Sequence, residues 1–134
     1  MFMNLLKACQ GRYIAFCEGD DFWIDNHKLQ IQIDWMESHP EYFMTAHNAL
    51  RIDYKKYTLT TINPYASEKE ISQEELIMRY NGNLPTASMI MRDDIKNMEP
   101  FFLECGVGDI PIQLYSMSKG KIYYFDRIMS IYRY

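Results

Sequence analysis

A short apolar run, Tyr13-Ile14-Ala15-Phe16-Cys17, is followed at once by Glu18-Gly19-Asp20-Asp21. An apolar run of this length bounded by Gly reads as a buried strand of the kind found in parallel sheets. In open α/β sheets ligands gather at the carboxyl ends of strands. Three carboxylates at such an end repel one another unless a cation or hydrogen-bond donors offset them. A divalent-metal site facing a phosphate-bearing substrate is therefore the first expectation. A solvated acidic turn, or Asp20 and Asp21 acting as caps, is the alternative.

The rest of the chain alternates helix and strand signals. Asn4–Gln10 reads as a helix stopped by Gly11. His27–Ser38 has Leu29, Ile33 and Met36 on one face, widened by Ile31 and Trp35. Asp25 or Asn26 is the expected cap, and Pro40 bars continuation. Tyr42–Arg51 and Tyr57–Ile62 read as strands, and the stretch from Asn63 to Lys69 as an irregular surface loop. Ser72-Gln73-Glu74-Glu75 is a capping box that opens a helix to about Tyr80, closed by Asn81-Gly82-Asn83. Thr86–Met91 reads as a strand and Asp94–Leu103 as a helical piece broken by Pro100. Gly106-Val107-Gly108-Asp109 leads into a helix with Ile110, Leu114 and Met117 on one face; Pro111 is tolerable in its first turn, and Gly120 ends it. Two strands, Ile122–Phe125 and Ile128–Arg133, are joined by Asp126-Arg127. The expectation is α/β, with a mixed sheet flanked by helices, in one domain of 134 residues.

Composition limits the function. The formal charge of -4 disfavours nonspecific nucleic-acid binding. No apolar run reaches the roughly 18 residues of a membrane span, and there is no signal peptide. Cys9, Cys17 and Cys105 form no CxxC pair and read as free thiols in a reducing, cytoplasmic setting, with Cys17 a small core residue. His27, His39 and His47 show no metal-ligand spacing.

The stretch from Gly11 to Trp23, followed by Lys28-Leu29-Gln30-Ile31-Gln32, resembles family 2 inverting glycosyltransferases of the GT-A fold. There an apolar strand carries an Asp-x-Asp-Asp-type motif, followed by a Trp-containing loop and a Lys-Leu-x-x-Gln helix. Leu84-Pro85-Thr86-Ala87-Ser88 resembles the family's acceptor-side strand start, Gly108-Asp109 its general-base motif, and Lys121-Ile122-Tyr123-Tyr124 with Tyr132-Arg133 its closing strands. Glu18 stands where the family most often has Asp. Some relatives place a histidine just after the Tyr-Arg pair, where Tyr134 stands here. The family's earlier, base-binding half has no counterpart, so the resemblance implies the C-terminal part of a catalytic domain.

The resemblance also implies chemistry. The donor is a nucleotide-diphosphate sugar and the acceptor a glycan or lipid-linked molecule, at the inner face of the membrane. Asp20 and Asp21 are the metal ligands, for Mn²⁺ or Mg²⁺, with Glu18 beside them. Asp109 is the general base, although it also sits where a helix cap belongs. Trp23 lines the sugar pocket or packs at its rim. Arg133 reaches the diphosphate or is a solvated end-of-strand cation. An exposed sheet edge makes a homo-oligomer an expectation. The rival readings are a non-catalytic carbohydrate- or nucleotide-binding remnant and a metal-dependent phosphohydrolase.

Overall fold

The computed structural model describes residues 2–62, 64–78, 84–99 and 109–134. Asn63, the Asn81-Gly82-Asn83 stop, Pro100 with Leu103, Cys105 and the Gly106–Gly108 approach to Asp109 lie outside the described residues. The described elements are α1 (Phe2–Ala8), β1 (Tyr13–Ala15), β2 (Phe22–Trp23), α2 (Lys28–Ser38), β3 (Tyr42–Asp53), β4 (Thr58–Thr61), β5 (Lys69–Ile71), α3 (Gln73–Met78), β6 (Ile90–Arg92), α4 (Asp109–Lys119) and β7 (Lys121–Arg133). Single 3₁₀ turns occupy Thr86–Ser88 and Asp93–Asn97. The result is a curled, mixed α/β sheet flanked by helices.

The order across the sheet is β1-β6-β3-β7-β2, with β4 added to β3 and β5 to β7. β3 and β7 pair in parallel over nearly their whole length. Every other pairing among the described residues is antiparallel. The two long strands each carry two short partners. β6 lies against the start of β3 and β4 against its end; β5 lies against the start of β7 and β2 against its end.

The strand buried on both faces is β3, where Tyr42 to Ala49 are all buried. The run Tyr13–Cys17 departs from expectation. Only Tyr13–Ala15 forms a strand, at the sheet edge and antiparallel to β6, and only Ile14 is buried. Cys17 is exposed rather than a core residue. An edge strand has a sheet partner on one side only, so it is less enclosed than a central strand.

Other boundaries shift for local reasons. The stretch Thr86–Met91 divides: a 3₁₀ turn takes Thr86–Ser88 and the strand begins at Ile90. β7 is one strand rather than two. Its register against β3 skips Asp126 and Arg127, which are exposed between Phe125 and Ile128, so the expected turn is a bulge. The segment read as a surface loop holds buried Tyr65, whose ring packs 5.3 Å from that of Tyr124. The capping box forms in both directions: Glu75 N donates to Ser72 Oγ and Ser72 N to Glu75 Oε2, each at 3.1 Å.

Neither long helix buries just the face its apolar residues mark, although Met36 of the expected α2 face is fully buried. α2 buries Lys28, Gln32 and Met36 and leaves Leu29 exposed. Its cap position is His27, with no side-chain cap, while Asp25 Oδ1 accepts from His27 N at 2.8 Å. α4 buries Pro111, Ile112, Gln113, Tyr115 and Ser116. Of the predicted α4 face, Leu114 is exposed and Ile110 and Met117 are half-buried. Arg92 locks the start of β3: its guanidinium donates to Tyr42 O at 3.0 Å, Met36 O at 2.8 Å and Tyr13 Oη at 3.3 Å. It thereby ties the last turn of α2 to β1 and β3.

Gly120 closes α4 against β3. Gly120 N donates to Ser116 O and Lys121 N to Glu41 O. A Cβ at position 120 would stand 2.9 Å from Glu41 O and 3.1 Å from Phe43 Cβ. Backbone atoms must move to admit it, so Gly120→Ala is expected to cost about 1–3 kcal/mol in urea unfolding. Unchanged stability would show that the α4–β7 junction yields freely.

Candidate functional site

The acidic loop is held by β7. The two residues of β2 pair with Ile131 and Ser130, and Ile24 N donates to Met129 O at 3.0 Å. Arg133 N donates to Asp21 Oδ1 at 3.0 Å, and Arg133 Nε donates to Asp20 O. Arg133 also lies 5.9 Å from the Phe22 ring. This end-of-strand arginine is thus joined to the loop by backbone and side chain.

Asp21 is buried, and its Oδ2 has no hydrogen-bond partner among the described residues. Glu18 and Asp20 are exposed and Asp109 is half-buried. The carboxyl of Asp21 is pushed up by local burial, opposed by the Arg133 backbone bond and raised further by Asp20. Glu18 is pushed up by local burial and by Asp21, with smaller contributions from Asp20 and Asp109; a side-chain hydrogen bond with Thr86 pulls the other way. Glu18 therefore lies within electrostatic range of Asp20, Asp21 and Asp109. Asp109, in the first turn of α4, also engages its own backbone: Oδ1 accepts from Ile110 N at 3.1 Å.

No cluster of three or more His, Cys, Asp or Glu side chains converges to hold a metal ion among the described residues. What the loop offers is one or two hard oxygen donors, an orphaned buried carboxylate oxygen and an excess of negative charge. That set fits a cation such as Mg²⁺, which commonly takes one or two carboxylates and completes its shell with phosphate oxygens and water.

Trp23 is half-buried. Its indole Nε1 donates to Ala87 O at 2.9 Å, and Lys28 Nζ lies 4.5 Å from its ring centroid. The helix Lys28–Ser38 thus contributes polar side chains that its apolar periodicity does not reveal. Lys28 Nζ donates to Gln32 Oε1 at 2.9 Å; Gln32 Nε2 donates to Ser88 O at 2.9 Å and Thr45 Oγ1 at 3.2 Å. Thr86, Lys28 and Gln32, which the sequence motifs contain without assigning them a site role, belong to the site's surroundings. The signal was available in the Lys28/Gln32 pair, which stand at i and i+4 and so share one face of the helix.

Four curated proteins match this chain. It is 28% identical over 137 residues to uncharacterized proteins of Mycobacterium tuberculosis and Mycobacterium bovis, covering 98% of this chain and 37% of each of theirs. It is also 28% identical over 115 residues to the UDP-Glc:alpha-D-GlcNAc-diphosphoundecaprenol beta-1,3-glucosyltransferase WfaP of Escherichia coli, covering 86% of this chain and 42% of that one. The chain is similar to a glycosyltransferase. It spans about two fifths of the length of these relatives. No family model matches it. No helix among the described residues is long and apolar enough to cross a membrane.

His47 lies on β3 and is fully buried. Its Nδ1 is 2.7 Å from Asn48 O, and Nε2 has no partner among the described residues. Burial, and secondarily the charge of Lys28, lower its pKa to about 3. Unfolded, the imidazole titrates near 6.5. Between those values only the unfolded chain takes up the proton. The contribution of His47 is therefore complete above about pH 6.5 and is lost as pH falls towards 3. The stability difference between the native chain and His47→Leu should shift against the native chain by about 2 kcal/mol between pH 7 and pH 5. A difference that does not vary with pH would show that His47 is protonated in the fold.

Proposed function

We propose that this chain is the C-terminal part of a glycosyltransferase catalytic domain of the GT-A type. In this reading it transfers a sugar, with inversion, from a nucleotide-diphosphate donor to a glycan or lipid-linked acceptor. The observation that carries the reading is the acidic loop Glu18–Asp21 closed by Arg133, with Asp109 within electrostatic range of Glu18. The named relative supports the class of reaction, since it is a glucosyltransferase with a UDP-linked donor and a diphospholipid-linked acceptor.

Each residue then has a task. Asp20 and Asp21 hold a divalent cation, Mn²⁺ or Mg²⁺, which when bound supplies Lewis-acid neutralisation of the leaving diphosphate. Arg133 adds a fixed positive charge beside the same phosphates. Glu18 sets the local field and orders the loop through Thr86. Trp23 borders the sugar. Asp109 takes the proton of the acceptor hydroxyl as its oxygen bonds the anomeric carbon. The bond from that carbon to the diphosphate oxygen breaks on the opposite face, which inverts the configuration. General-base assistance of this kind contributes about 10²–10⁴-fold. The cytoplasmic, membrane-peripheral setting belongs to the same reading, because a lipid-linked acceptor is presented at a membrane surface.

The reading predicts metal-dependent binding of uridine diphosphate. Calorimetric titration with and without Mn²⁺ should show heat only with the metal, and Asp20→Ala should abolish it. Equal binding by Asp20→Ala would sink the metal assignment. Self-association through the open edge of β1 is also part of the reading: sedimentation should show mass rising with concentration, and a monomer at all concentrations would remove it.

A further inference from the structure

Lys28 is 1% exposed and has no acidic partner within salt-bridge distance among the described residues. An ammonium group buried without an opposite charge is costly. Lys28 Nζ has one hydrogen-bond acceptor, Gln32 Oε1, and lies over the Trp23 ring. Cys17, on the loop after β1, and His47, on β3, face it electrostatically. Cys17 is itself faced by Asp21 and Glu18, and His47 by Asp25. Burial brings the amine down to about 7, with Cys17 opposing the shift.

The two partners of Lys28 lead to the same place. Trp23 Nε1 is bonded to Ala87 O, and Gln32 Nε2 to Ser88 O. Both carbonyls belong to the 3₁₀ turn Thr86–Ser88, whose Thr86 side chain lowers the pKa of Glu18. We propose that Lys28 is a positioning residue that holds the Trp23 indole and, with Gln32, the Thr86–Ser88 turn, and thereby fixes the loop Glu18–Trp23 on which Trp23 lies. The placement of Trp23 and the turn stands on geometry alone. Its consequence for the donor rests on the transferase reading.

The test separates positioning from stability. In Lys28→Met an apolar chain of similar length replaces the amine, so the urea midpoint should hold or rise. Uridine diphosphate binding in the presence of Mn²⁺ should weaken about 10–100-fold, the usual effect of losing an outer-shell support. A role in stability alone would lower the midpoint and leave binding by the folded fraction intact, which would overturn the proposal. A ligand-free readout keeps the two readings apart. With 5-fluorotryptophan incorporated, the Trp23 resonance, assigned by its loss in Trp23→Phe, should shift in Lys28→Met. In the native chain it should titrate with a midpoint near 7, and in Lys28→Met it should lose that titration. If the native chain binds no uridine diphosphate, the transferase reading fails while this resonance still decides the positioning. A Trp23 resonance unmoved by Lys28→Met would overturn it.

Discussion

The parallel pairing of β3 with β7 is the constraint on which the rest of the structure depends. Parallel neighbours need a crossover of a dozen residues or more, and here the segment between them supplies β4, β5, α3, β6 and α4. Both strands are long enough to accept two short partners each. That length is what brings distant stretches of sequence together. β6 and β4 share the free edge of β3, while β5 and β2 share that of β7. The acidic loop has no regular structure of its own beyond β2. It is fixed because the far end of β7 passes beside it and Arg133 bonds Asp21 and Asp20.

A second layer of order is polar and buried. Lys28, Gln32, Thr45, Ser88 and Trp23 form a connected set of hydrogen bonds and one cation–π contact between α2, β3 and the 3₁₀ turn. Networks of this type rigidify when their members are satisfied. Gln32 spends its amide on two acceptors and its carbonyl on Lys28, which explains why a polar face of α2 can point inward. The apolar face takes the periphery instead, where Trp35 stacks between His39 at 3.8 Å and Tyr123 at 4.1 Å. The site thus has a stiff floor and an exposed acidic rim, an arrangement suited to a charged ligand held by a cation.

Much of the architecture was legible in the chain. The helices Lys28–Ser38 and Asp109–Lys119 fall where Pro40, Gly120 and the apolar spacing place them, and the Ser72/Glu75 box forms as its spacing requires. These are local signals, carried by caps, stops and period. The carboxylates after Tyr13–Cys17 were legible too, because adjacent acids after an apolar run are conspicuous wherever they occur. What local pattern could not determine was which face of each helix is buried, since Leu29 and Leu114 lie outside while Lys28 and Gln113 lie inside. Periodicity counts apolar residues; burial is decided by which partners a neighbouring strand or turn presents.

By itself the sequence determined the class of the fold, the positions of its long elements and the acidic character of the loop, because each follows from contacts between residues near in the chain. Tertiary structure decided that Tyr13–Ala15 is an edge strand paired antiparallel with β6, that Lys121–Arg133 is one bulged strand, and that Asp109 comes within electrostatic range of Glu18. It also decided that Arg133 closes on a loop more than a hundred residues earlier. Those outcomes depend on pairings between distant segments, where the free energy lies in shared ladders and in burial. No window of neighbouring residues contains both halves of such a pair.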